Sequence, residues 1–170
     1  MKKLEYAFKI FDNLQSLIKF IDQKASAILI VAGLIANIYF FIFNNLVLIQ
    51  KSSLNIKNCF IFLLSLLVFI FTLIVFYLLL FKVFFPRKAK KSSSTKSMTF
   101  YFEHISQKDE TNFLDDFSSL NEKQMEEEVL KQIYELSFIL SEKIKYLKYV
   151  LRVLFLDIIL LSILIILIKV

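Results

Sequence analysis

Ala25–Ile49 reads ASAILIVAGLIANIYFFIFNNLVLI, an apolar run without a single Asp, Glu, Lys or Arg. At 1.5 Å per residue a helix of this length spans about 37 Å, more than the roughly 30 Å hydrocarbon core of a bilayer. This stretch decides the fold, because a small soluble domain has no place to hide it. Two further runs match it, Cys59–Phe85, which extends through Lys82 to the only proline, Pro86, and Val150–Ile168. The chain of 170 residues is 58% hydrophobic and holds 20 Phe but one Gly, one Pro and no Trp. Such a composition favours long unbroken helices and exceeds what a globule of this size can bury. The expected class is an all-α membrane protein with three transmembrane helices.

The segments flanking the spans carry the charge. Residues 1–24 place Leu4, Phe8, Phe11, Leu14, Ile18 and Ile21 at steps of three and four, which makes an amphipathic helix running into the first span at 25–49. The second span, 59–85, leads into a basic loop with short elements over 86–121, with strand-like alternation at Phe100, Phe102 and Ile105 and a short helix over Thr111–Leu120. From 122 to 149 an amphipathic helix, with Val129, Ile133, Leu136, Leu140, Ile144 and Leu147 in helical register, continues into the third span at 150–168. Of the 21 Lys and Arg, 18 lie in the two blocks Met1–Lys24 and Lys82–Arg152. By the positive-inside rule those blocks are cytoplasmic, so the N-terminus and 82–149 face inward and the C-terminus faces outward. No cleavable signal is apparent, and the first span is expected to stay as an anchor.

Polar residues inside the spans are the candidates for function. Asp22, Ser26, Gly33, Asn37 and Asn44 fall within a sector of roughly 60° on one helix, at about 100° per residue. An asparagine in hydrocarbon needs a partner or water, so this face either packs against another helix or lines a wet lumen. Asp157 stands inside the third span, and Lys82 at the cytoplasmic end of the second is its expected partner, as an ion pair. Arg87, Lys88, Lys90, Lys91, Lys96, Tyr101 and His104 combine basic and stacking groups that suit either a nucleotide or an anionic lipid surface. One His and one Cys, Cys59, leave no metal cluster, and no nucleophile has a base at motif spacing. Neither an enzyme nor a cofactor is expected.

Three short motifs carry a resemblance across nearly the whole chain. They are Asp22-Gln23-Lys24-Ala25-Ser26 at the entry to the first span, Phe102-Glu103-His104-Ile105 after the Pro86-Arg87 exit, and Gln132-Ile133-Tyr134 with Ser137 and Lys143 on the last helix. Together they resemble the small transmembrane effectors of the Pycsar type, from bacterial antiphage defence. The resemblance implies an effector that answers a nucleotide second messenger, a cyclic nucleotide or an oligonucleotide made by a partner cyclase or nucleotidyltransferase. It also implies that the effector impairs the inner membrane and arrests or kills the infected cell. Three helices cannot enclose water while satisfying lipid outside, so a pore or ion channel requires a homo-oligomeric helical bundle, with a tetramer favoured. Movement of the long cytoplasmic helices would gate it. The alternative is a non-conducting membrane anchor and interaction module for a soluble signalling partner.

Overall fold

The computed structural model describes residues 2–50, 56–85 and 109–169. Helix α1 runs from Lys2 to Gln50 and α2 from Ile56 to Leu78, where it widens and continues as a π-helical end over Leu79–Phe84. A short α3, Glu110–Ser119, precedes α4, Glu122–Lys169. The described residues contain no strand. Three of the helices are long and apolar enough to cross a membrane. The strand-like alternation over Phe100–Ile105 lies outside the described residues, as does most of the basic loop.

Local chemistry explains several of these boundaries. Phe85, which precedes Pro86, takes an extended backbone, because the proline ring disfavours helical geometry in the residue before it. The Phe85 amide bonds the Leu80 carbonyl at 3.1 Å, five residues back, and so closes the wide last turn. Helix α4 opens on a reciprocal cap: the Asn121 amide donates to Gln124 Oε1 at 3.0 Å, and the Gln124 amide donates to Asn121 Oδ1 at 2.9 Å. Two orphan donors are satisfied at once, and Glu122 adds a favourable charge at the positive end of the helix dipole.

By packing, the chain divides into two units, Met1–Phe20 with Arg87–Glu142, and Ile21–Pro86 with Lys143–Val170. In the first, Ala7, Val129 and Leu140 are buried, while no residue of α3 is. The second is a three-helix core built on a repeat of alternating four and three residues. On α2 and its π-helical end the buried positions are Ile61, Ser65, Val68, Thr72, Val75, Leu79 and Val83, the last reached by a second step of four in the wider turn. On α4 they are Lys143, Leu147, Val150, Leu154, Asp157, Leu161 and Leu164, and on α1 Ala25, Ala32, Ile35 and Tyr39 meet them. A mean spacing of 3.5 is the signature of knobs-into-holes packing with a left-handed wrap.

Outside this seam the surface is apolar: Ile30, Leu34, Phe41, Leu63, Phe155 and Ile166 are all exposed. A large exposed apolar belt around a bundle of membrane-length helices is what lipid covers. The chain is a membrane protein.

Tyr39 joins α1 to α2. Its hydroxyl lies 3.2 Å from Ser65 Oγ, and its ring stacks on Phe69 at 5.7 Å and Phe43 at 5.9 Å. Tyr39→Phe removes only the hydroxyl contact and is expected to cost about 0.6 kcal/mol, the usual worth of a hydrogen bond between membrane helices. Tyr39→Ala also removes the stacked ring and is expected to cost about 3 to 5 kcal/mol. Equilibrium unfolding in mixed detergent checks both values.

Candidate functional site

The α1 seam that packs on its neighbours and the polar stripe lie on different faces. At about 100° per residue, Ser26, Gly33, Asn37 and Asn44 point roughly 120° round the helix from Ala25, Ala32, Ile35 and Tyr39. Ser26, Asn37 and Asn44 are accordingly exposed, and a Cβ added at Gly33 would meet nothing within 4 Å. Ser26 satisfies its hydroxyl locally by donating to the Asp22 carbonyl at 2.9 Å, one turn back. The Asn37 and Asn44 carboxamides make no hydrogen bond among the described residues. Neither α2 nor α4 of the same chain covers them.

Asp22 differs from the rest of the stripe because it lies closest to the seam. Its carboxylate takes an ion pair and hydrogen bond from the Lys143 ammonium, which crosses from α4 and is nearly buried. Both residues belong to the motifs quoted above, and they meet just before α1 enters its apolar stretch and two turns before α4 enters its own. The sequence held both residues as motif positions without indicating that they touch. Their partnership depends on the parallel register of two helices that lie about 120 residues apart in the chain.

The expected Lys82–Asp157 ion pair is replaced by two other contacts. Asp157, completely buried, receives its contact from Thr72 of α2, with Oγ1 at 2.8 Å from Oδ2. The Lys82 ammonium instead lies 5.9 Å from the centre of the Tyr146 ring, within cation–π range. Register is the reason for the correction. Thr72 and Lys82 are ten residues apart on α2, while Asp157 and Tyr146 are eleven apart on α4, so the two contacts belong to one antiparallel alignment separated by about 15 Å. The seam on α4 begins at Lys143, well before the wholly apolar stretch, so Asp157 lies far deeper than its distance from Arg152 suggests.

Composition and motifs do not single out Thr72 and Ser65. Their signal was their place in the four-three repeat of α2, where every other position is apolar. Gln132 is a further polar group of interest: its side-chain amide nitrogen is buried and has no partner among the described residues. Tyr134 and Ser137 on the same helix are exposed, and Ser137 donates to the Tyr134 carbonyl at 2.7 Å. Lys24, two residues on from Asp22, is exposed. Arg87, Lys88, Lys90, Lys91, Lys96, Tyr101, Phe102 and His104 lie outside the described residues. No group of three His, Cys, Asp or Glu that could hold a metal occurs among the described residues.

Comparison with known proteins adds one finding. The family model of the Pycsar effector protein domain matches residues 6–169, nearly the whole chain, including both residues of the Asp22–Lys143 pair. No curated protein and no solved structure gives a match. The matched region contains all three membrane-length helices and the polar residues set among them, and this chain belongs to the Pycsar effector transmembrane family, the effectors of antiphage defence.

Proposed function

We propose that this protein is a homo-oligomeric pore of the bacterial inner membrane, controlled by a nucleotide second messenger, that depolarises the infected cell and halts its growth. The observation that carries this reading is the uncovered stripe on α1. Asn37 and Asn44 stand exposed on the apolar stretch of α1, where the other exposed residues after Ser26 are apolar. A carboxamide facing lipid without a partner costs several kcal/mol, so copies of the chain gather with these stripes inward, around water. Each copy supplies the same face, as a closed ring requires.

In this reading the two Lys- and Arg-rich blocks are cytoplasmic. The second messenger is recognised by the basic and aromatic residues Arg87, Lys88, Lys90, Lys91, Lys96, Tyr101 and His104, multiplied over the subunits. The Asp22–Lys143 pair holds α1 against α4 in the packed state, and its release accompanies opening. The direct test is ion flux from liposomes loaded with the purified chain, with cyclic mononucleotides, cyclic oligonucleotides and linear oligonucleotides added in turn. Flux that one class switches on or off supports the pore.

A second reading, a non-conducting module that docks a soluble partner, is favoured by Leu130, Tyr134 and Phe138. They form an exposed row at steps of four on α4, ahead of its apolar stretch. Liposomes that stay tight under every nucleotide, together with recovery of one stoichiometric partner that Tyr134→Glu abolishes, would favour it over the pore.

A further inference from the structure

Thr72 has one hydroxyl proton and two short oxygen neighbours. Its Oγ1 lies 3.0 Å from the Val68 carbonyl oxygen, one turn back on α2, and 2.8 Å from Asp157 Oδ2 on α4. A hydroxyl donates once and accepts through its lone pairs, while a carbonyl oxygen and an ionised carboxylate only accept. With Asp157 ionised, three oxygens therefore share a single proton, and one of the two contacts has none. With Asp157 as a carboxylic acid the count closes. The acid donates to Thr72 Oγ1, and Thr72 donates to the Val68 carbonyl.

The surroundings agree with the acid form. Asp157 is 0% exposed, and its second oxygen, Oδ1, has no hydrogen-bond partner. On a carboxylate that oxygen would carry half a negative charge among apolar side chains, whereas on an acid it is a neutral carbonyl. No ion pair forms at Asp157 among the described residues. From α1, the residues after Lys24 offer only Tyr39, whose hydroxyl is with Ser65. From α2 come Lys57, far along the helix, and Lys82, about 15 Å from Thr72 and placed over Tyr146. On α4 itself, Arg152, Lys148 and Lys145 are exposed and roughly 140°, 180° and 120° round the helix, Lys169 stands at the far end, and Lys143, paired with Asp22, is about 21 Å back.

We propose that Asp157 is a proton-binding site, occupied in the packed core, where the acid hydrogen completes a chain from Asp157 through Thr72 to the Val68 carbonyl and ties α4 to α2. The ligand is a proton. Losing that proton leaves a bare carboxylate between apolar helices, which only water entering the seam can solvate. The proposal rests on the three-helix packing and not on the pore reading, so a silent liposome would leave it standing.

Infrared spectroscopy of the full chain in lipid nanodiscs at neutral pH tests it. The carbonyl stretch of a protonated carboxylic acid is expected, at a frequency where ionised side chains do not absorb. It moves when aspartate is supplied with a ¹³C-labelled carboxyl group, a reading that needs no variant. It vanishes in Asp157→Asn, whose amide can donate to Thr72 in the same way, and shifts in Thr72→Val, which removes the acceptor. The absence of an acid band in the folded protein overturns the proposal, and so does a band that survives Asp157→Asn or ignores Thr72→Val. A band that appears only when sodium and potassium are withdrawn also overturns it, since the resident ligand is then a metal cation.

Discussion

If this chain forms the proposed pore, Asn37→Leu and Asn44→Leu are expected to abolish the depolarisation expected on its overexpression, with both variants still inserted in the membrane. Each substitution replaces an exposed carboxamide on α1 with a side chain that lipid accepts, so insertion does not suffer. In a ring of copies, each removes one polar group per subunit from the water-filled path. A hydrogen bond to a charged partner is worth about 1.5 to 3 kcal/mol, and tenfold corresponds to about 1.4 kcal/mol, so ion flux should fall on the order of tenfold to a hundredfold. Membrane-potential dyes in cells and flux from liposomes measure the loss. Asn37→Ser, which keeps a hydrogen-bonding group, should retain most of the activity. Unchanged depolarisation in both leucine variants would remove the stripe from the lumen and leave it as a packing face between copies.

The second large effect is expected at Asp22 and Lys143. Asp22→Lys or Lys143→Asp alone sets two like charges against each other at the point where α1 and α4 meet. The combined exchange, Asp22→Lys with Lys143→Asp, restores an opposite pair. Lys143 is nearly buried, but Asp22 is about a third exposed, so the pair is partly screened by solvent. Neutralising Asp22 with Asn is therefore expected to cost about 1 to 2 kcal/mol, most of it from the Lys143 ammonium left without its anion. At about 3 °C per kcal/mol for a chain of this size, the melting midpoint should fall by roughly 3 to 6 °C. The single reversals should go further and depolarise cells without any infection signal, because they release the contact that holds the packed state. If the exchange variant behaves no better than either single reversal, the charges act apart from one another and the pair is no latch.

The membrane class was legible because it depends on composition over long windows. Ala25–Ile49 has the length and polarity of a span whatever its neighbours do, and the helical period of residues 1–24 and 122–149 is a local property. The N-terminal boundary of α4 was legible for the same reason, since Asn121 and Gln124 cap one another across a single turn. The polar stripe was legible as a stripe, because a helix wheel needs only the 100° step. Its direction was not legible. Nothing within α1 says which of its faces meets α2 and α4, and the packed face proved to be the one with Ala25, Ala32 and Tyr39, leaving Asn37 and Asn44 outside.

The pairing of Asp157 shows the same division more sharply. Its rarity in an apolar helix was enough to single it out, but the choice between Lys82 and Thr72 turns on a register difference of ten residues. The sequence by itself determined that three long helices cross a membrane, where the charged blocks lie, and which polar residues are out of place there. These follow from the solvation of one helix at a time. The tertiary structure alone decided that Asp22 meets Lys143, that Thr72 meets Asp157 with one proton too few, and that the α1 stripe is left uncovered. Those facts depend on how far one helix slides and turns against another, and that is set by the sum of many small packing contacts along the seam rather than by any residue read alone.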